Sequence, residues 1–257
     1  MKYELFDEKI ICGRVLHRIR YCDNSLGGWI ESEKNLDKNS NARVYGDACV
    51  YGNARVYGNA CVYGNARVFG KACVYDYACV FGNACVSDNA RVYDFAYVYD
   101  YACVFVNARV YGNARVSGDA RVYDNARIFG KAYVSGDACV YGDARVYGNV
   151  RVSGDARVYY NACVSGDARV NISGNACVID DAWKTPPLQI QGSMFFFSVS
   201  SKNHITVGCK TKTIAEWKKT YEEEFIKNHF TEAQQIEYKQ YFNLASNLYG
   251  WSIQLPI

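Results

Sequence analysis

The sequence predicts an all-β solenoid, a triangular prism of short parallel strands, and three observations carry that reading. Residues 41–166 repeat one hexad 21 times: Asn or Asp, Ala, Arg or Cys, Val, then Tyr, Phe or Ser, then Gly or Asp. Alternating Ala and Val with Arg or Cys and an aromatic is the period-two pattern of a strand with one buried face. A second, threefold longer period runs through the first, since Ser117, Ser135 and Ser153 share a slot, as do Cys61 and Cys79, and Cys85 and Cys103. A Gly-Asn, Gly-Asp or Asp-Asn corner closes most hexads, where the backbone turns at little cost.

Each of these observations justifies one part of the prism. A four-residue strand cannot bury its Val and Ala alone, so units must stack. Three hexads then make one coil, with a parallel sheet on each side. Seven coils at ~4.8 Å per strand spacing give a prism roughly 34 Å long. Inside it each coil contributes about three Val and three Ala, with Ile128 and Val150 as near-isosteric variants.

Taken in chain order, Lys2 to Cys22 predicts a hairpin of two alternating segments with Asp7-Glu8 as its turn. Ile30 and Leu36 lie on the six-residue lattice that continues into Ala42, so the first coil starts there. Past the hexads, DARVNISGNACV (Asp167 to Val178) lengthens the step from Val170 to Val178 to eight residues and predicts a bulged corner. Pro186-Pro187 ends the stacking, because proline cannot donate to a ladder. Met194 to Ser200 and His204 to Cys209 predict a second hairpin. Capping boxes at Thr213–Glu216 and Thr231–Gln234 open two helices, with Trp217, Tyr221 and Phe225 inward on the first and Tyr238, Phe242 and Ala245 on the second. The organisation expected is an N-terminal hairpin and lead-in over 1–40, the β-helix over 41–183, and a C-terminal hairpin with two helices over 184–257. Open solenoid ends expose unpaired edges, and the terminal units are expected to cover them.

The phrase V-x-G-N/D-A-x resembles the hexapeptide repeat of left-handed β-helix proteins, and that resemblance implies left-handed coiling. The segment LGGWIESEKNL (Leu26 to Leu36) resembles the lead-in of YdcK-like hexapeptide proteins and of relatives common in bacterial prophages. Some of that group also end in a small domain resembling MFFFSVSSKNHITVGCKTKTIAEW (Met194 to Trp217). A prophage setting would suit a host-interaction or counter-defence role. The acetyltransferase label carried by some members implies an acyltransferase using acetyl-CoA as the alternative.

The residues argue against that chemistry. Hexapeptide acyltransferases typically place a histidine base on or beside a coil, with a loop thrown out to shape the acceptor pocket. Here His17, His204 and His229 all fall outside the hexads, which carry no inserted loop. Asp119, Asp137 and Asp155 sit at corners that turn chemistry already explains. No Ser-His-Asp set, P-loop or zinc motif occurs. The chain is therefore expected to be non-enzymatic, without catalytic residues, cofactor or metal.

Composition narrows the setting. A net charge of +3 is too small to imply nucleic acid by itself. No apolar run long enough to cross a bilayer occurs, nor does a charged-then-apolar leader, so a membrane span and a signal peptide are not expected. Of 12 cysteines, nine occupy the Arg/Cys slot or its continuation, and many outward thiols suit a reducing cytoplasm. Only the pairs 61/79 and 85/103 come close, and neither has a histidine nearby.

Sorted by coil, one outward face stands apart. The third face aligns Arg55, Cys73, Arg91, Arg109, Arg127, Arg145 and Cys163 beside Tyr57, Tyr75, Tyr93, Tyr111, Phe129, Tyr147 and Ser165. On the second face Arg121 and Arg157 each follow an acid two residues back, Asp119 and Asp155. Arg91, Arg109 and Arg127 follow Asn89, Asn107 and Asn125 instead, and only Arg145 has an acid there, Asp143. Arg91, Arg109, Arg127 and Arg145 with Tyr75, Tyr93, Tyr111 and Tyr147 are thus the expected partner face. It suits a homo-oligomer or protein partner, with Arg packed on Tyr; an anionic ligand, nucleotide or nucleic acid, is the other reading.

Overall fold

The computed structural model describes residues 2–165, 171–172, 177–179, 182–183 and 187–256. Three parallel sheets, one per face, form a solenoid of about eight turns. The first face runs from Arg43–Val44 to Asn171–Ile172, the second from Leu26–Ile30 to Cys177–Ile179, and the third from Arg55–Val56 to Ala182–Trp183. Within the hexads each strand pairs with the one three hexads on, as Arg91–Val92 does with Arg109–Val110. Bonds such as Arg91 N–H to Ala108 O (3.0 Å) and Tyr93 N–H to Val110 O (3.1 Å) tie coil to coil. Val and Ala of the hexads turn inward and are buried, as the alternation predicts.

The corners explain the sixth slot. Glycines there take positive φ, for example Gly58 at 72°. Where Asp replaces Gly, as in Asp94, Asp100 and Asp124, φ stays between 56° and 59°. The carboxylate then accepts a backbone N–H one coil on: Gly112 at 3.0 Å, Gly118 at 3.2 Å and Gly142 at 3.2 Å. Val106 holds the same conformation at φ 62°, where its branched Cβ is crowded.

The N-terminal hairpin forms, but its turn is not at Asp7-Glu8. Strands Tyr3–Ile11 and Arg14–Tyr21 meet at Cys12-Gly13, whose φ values of 51° and 74° suit the tight turn of a twisted hairpin. Asp7 (φ 52°) is instead a bulge, with register shifting between Phe6 and Glu8. This hairpin pairs antiparallel with Leu26–Ile30, which pairs parallel with Cys49–Val50, so it extends the second-face sheet. It also plugs the open end: the Tyr21 hydroxyl donates to Val44 O (3.0 Å) and accepts the Val44 N–H (2.8 Å). Ile30 and Leu36 line the first turn, but not on the six-residue lattice of Ala42. They stand opposite Val50 and Val56, 20 residues on instead of 18, so two extra residues fall between Leu36 and Val44.

The lead-in segment is built for close approach. A Cβ on Gly28 would stand 2.6 Å from Ala48 O, so only glycine fits. Buried Asn35 accepts the Ser32 N–H (2.9 Å) and donates to Gly52 O (3.0 Å) and Ala54 O (2.9 Å).

Near the far end, the two extra residues fall one corner earlier than the Val spacing suggests. Val152 faces Ile172 and Val158 faces Val178, each pair two residues wider than the usual three-hexad step. The eight-residue step thus precedes Ile172, and Ile172 to Val178 is the ordinary six. Val170, Gly166 and Pro186 lie outside the described residues.

The C-terminal unit holds more strand than the predicted hairpin. Gln189–Gln191, Phe196–Ser201, His204–Val207 and Lys210–Thr213 form a four-stranded antiparallel meander. Helices α1 (Ile214–Lys227) and α2 (Glu232–Tyr249) pack on it, each opened by its capping box. Trp217, Tyr221, Phe225, Tyr238, Phe242 and Ala245 are buried as the helical spacing predicts. Strand Phe196–Ser201 lies against Cys177–Ile179, so the solenoid core runs on into this unit.

Candidate binding face

The third face is a ladder. Arg91 faces Arg109, Arg109 faces Arg127, and Arg127 faces Arg145, rung by rung. Their backbone origins are held ~4.8 Å apart, so each neighbouring pair of charges repels by about 0.9 kcal/mol in water. Arg91 and Arg145 are exposed and the middle two half-buried. Among the described residues none of the four has a carboxylate within ion-pair range.

Beside the arginines runs an unbroken column of rings. Tyr57, Tyr75, Tyr93, Tyr111, Phe129 and Tyr147 stack with centroids 4.6–4.9 Å apart and planes within 5° of parallel. Each inner ring therefore has both faces covered by its neighbours. Burial, then the phenols of Tyr57 and Tyr93, push the Tyr75 hydroxyl up to about 12. Tyr57 and Tyr93 are raised too, first by burial. The eight residues singled out from the sequence thus share one face in register.

Two details differ from expectation. Among the described residues, the one cation over a ring on this face is Arg55 over Tyr57, 5.9 Å from its centroid. Arg91, Arg109, Arg127 and Arg145 do not pack on tyrosine faces, because those faces are already taken. And the second face is not neutralised by pairing: Asp119 with Arg121 and Asp155 with Arg157 form no ion pair among the described residues, nor does Asp143 with Arg145. Residues two apart along a strand are ~6.5 Å apart, and these side chains extend into solvent. The contrast between faces is one of nearby charge, not of salt bridges.

What stands in place of acid on the third face is an amide ladder. Asn89 donates to Asn107 and Asn107 to Asn125, each at 3.3 Å. These side chains satisfy each other and leave the neighbouring arginines without a counter-charge. The sequence signal is Asn recurring once per coil; the hydrogen bonding between these amides is visible only in the structure.

The other faces carry groups that the hexad consensus hides. On the first face the Tyr133 hydroxyl meets Ser117 Oγ at 3.0 Å and the Tyr99 hydroxyl at 3.4 Å. The bond to Ser117, then that to Tyr99, lowers the Tyr133 pKa. Tyrosine in the Arg/Cys slot is the sequence signal for this cluster. Cys61 and Cys79 lie side by side on the same face, and Cys85 and Cys103 on the second. The neighbouring Cys85 thiol lowers Cys103 to about 6, with Arg121 and Arg67 assisting, and the Cys79 thiol lowers Cys61 to about 7. The hydrogen bonds of Cys103 and Cys79 themselves go to backbone oxygens, Tyr101 O (3.5 Å) and Tyr77 O (3.8 Å). Cys49, outward by pattern, is covered by the hairpin and buried with Leu16, Trp29 and Tyr51.

His17 stands in the hairpin, 3.6 Å from Glu8; His204 pairs with Ser201 at 2.8 Å; His229 lies just past the end of α1. All three are in the terminal units. Among the described residues no helix is long and apolar enough to cross a membrane.

Five stretches, residues 48–62, 108–120, 120–136, 138–154 and 144–160, match the YdcK β-solenoid repeat family. Comparison with curated proteins gives no match. The register of the three sheets and these matches agree: the chain is a β-solenoid repeat protein whose matched stretches are YdcK-like repeats.

Proposed function

We propose that the protein is a non-enzymatic β-solenoid whose third face binds an acidic protein partner. The observation that carries this is four arginines in consecutive rungs with no carboxylate partner among the described residues. The backbone ladder keeps them from moving apart, so their repulsion is a standing cost that an anionic surface relieves. Carboxylates suit the site because guanidinium binds them through paired hydrogen bonds.

The ring column favours protein over nucleic acid. Base recognition without sequence preference relies on free aromatic faces. Here the faces are stacked on each other, and the column presents ring edges and phenol hydroxyls. Ring edges carry the positive end of the aromatic quadrupole, which also favours anions. Self-association through this face would set cations against cations.

The test replaces Arg91, Arg109 and Arg127 with Ser and measures binding of poly-glutamate and of a single-stranded oligonucleotide of equal charge. Poly-glutamate binding is expected to be tighter, to fall steeply with salt, and to be lost in the variant, with thermal stability unchanged or slightly raised. Arg121→Ser with Arg157→Ser on the second face is the control and should bind as the parent does. Equal loss from both sets, or loss of stability in the third-face variant, would make the face a packing surface. Tighter binding of the oligonucleotide would make the partner a nucleic acid.

A further inference from the structure

Among the described residues, two pairs of cysteines face each other in register: Cys61 with Cys79 and Cys85 with Cys103. The second pair sits inside a charged bracket. Reading up the second face, the column runs Arg67, Cys85, Cys103, Arg121, each directly opposite the next. Both thiols are free and half-buried. The outward neighbour of Cys85 is Ser87, the one small residue between the stacked pair Tyr51–Phe69 and the stack that starts with Phe105–Tyr123.

An in-register parallel ladder is a poor frame for a disulfide. Neighbouring Cβ atoms keep the strand spacing of ~4.8 Å, whereas a disulfide needs about 3.5–4.5 Å. Hydrogen bonds on both sides of each rung resist the shift, as Cys85 N–H to Ala102 O (2.9 Å) and Cys103 N–H to Ala120 O (2.9 Å) show. A metal between the sulfurs meets no such misfit. With metal–thiolate bonds of about 2.3 Å, a linear S–metal–S unit spans about 4.6 Å.

We propose that Cys85 and Cys103 form a two-coordinate site for a soft monovalent cation, Cu(I) in kind, and that Cys61 and Cys79 form a second. Soft thiolates select such ions. Among the described residues no third ligand stands with either pair, which excludes a structural zinc site and is what two-coordination requires. On binding, two S–H bonds give way to two S–metal bonds and two protons leave. The resulting bis-thiolate unit carries one negative charge, placed between the Arg67 and Arg121 guanidiniums. The Cys61/Cys79 pair has Arg43 on one side and Tyr97 on the other, so it is the weaker site.

Single cysteines in the same slot supply the control. Cys73 lies between Arg55 and Arg91, and Cys139 between Arg121 and Arg157, each without a thiol neighbour. The test titrates the reduced full-length protein with Cu(I) under anaerobic conditions against bicinchoninate. The parent should withdraw two equivalents, and Cys85→Ser with Cys103→Ser only one, the weaker. Cys73→Ser with Cys139→Ser should still withdraw two. X-ray absorption of the metal-loaded parent should show two sulfur neighbours and no nitrogen. Two equivalents in the Cys85/Cys103 variant, or one in the control, would overturn the assignment. So would ready closure of a Cys85–Cys103 disulfide by diamide, since the ladder would then not be holding the sulfurs apart.

Discussion

Val110 and Phe242 are both fully buried, yet they are held in different ways. Val110 has Val92 on the rung below and Ile128 on the rung above, each in the same slot of an equivalent coil. Phe242 meets Phe197 edge-on at 5.2 Å and Trp217 at 5.5 Å, from a strand and from the other helix. The solenoid core is a repeated local solution, whose stability is close to a sum over neighbouring coils. The C-terminal core is a single solution assembled from every element at once. One tolerates local loss; the other fails as a unit.

The largest expected effect tests that difference directly. Phe242→Ala should cost about 3–5 kcal/mol in the C-terminal unit, while Val110→Ala in the solenoid costs about 2 kcal/mol. Tryptophan fluorescence and far-ultraviolet circular dichroism in a denaturant series would separate the two. In the Phe242 variant the fluorescence change should run ahead of the β-sheet signal. Coincident shifts would mean that the shared core makes one cooperative block, and the comparison would break.

Acid should sharpen the contrast by a smaller step. Glu224 is held down to about 2 from 4.5 by hydrogen bonds from Lys210 and Lys212. A carboxylate with a depressed folded pKa stabilises fully above its unfolded value and loses that contribution as pH falls toward the folded one. The C-terminal unit should therefore weaken between pH 4.5 and 2 ahead of the solenoid. Glu224→Gln should flatten that slope; an unchanged slope would assign it to other carboxylates.

The smallest effect lies within the solenoid. Val106 occupies a corner slot, at φ 62°, that glycine or aspartate fills in every other hexad except the one ending in Tyr160. Val106→Gly should relieve the crowding and raise stability by about 1 kcal/mol in thermal melts. A loss would mean that Val106 packs usefully against the next coil.

The same contrast governs what could be read from the residues. In the solenoid every environment recurs, so the alternation of Ala and Val with outward residues predicted burial, sheet number and the rung-by-rung alignment of Arg91 to Arg145. Where the repeat stops, reading falters. Asp7-Glu8 has turn chemistry, yet Cys12-Gly13 makes the turn, because Asp7 could also bulge while pairing continued on both sides. Val170 and Ile172 are both acceptable inward residues, so spacing alone could not locate the insertion. Strands Gln189–Gln191 and Lys210–Thr213 are too short and polar to stand out. On the third face position was legible and contact was not. An Asp two residues before an Arg suggests neutralisation, but a strand keeps the two apart, and only the structure shows ring faces consumed by other rings.

The one-coil register has a consequence for how such a surface changes over generations. Among the described hexads Val and Ala, with Ile128 as the one larger variant, close the inside, while the Arg/Cys slot outside takes Arg, Cys or Tyr with the same backbone. A duplication or loss of one coil's worth of codons would add or remove one rung and leave every remaining contact intact. The outer columns can thus be lengthened, shortened or rewritten without redesigning the interior. Lineages carrying this chain would be expected to differ in the number of charged rungs before they differ in anything the core can feel.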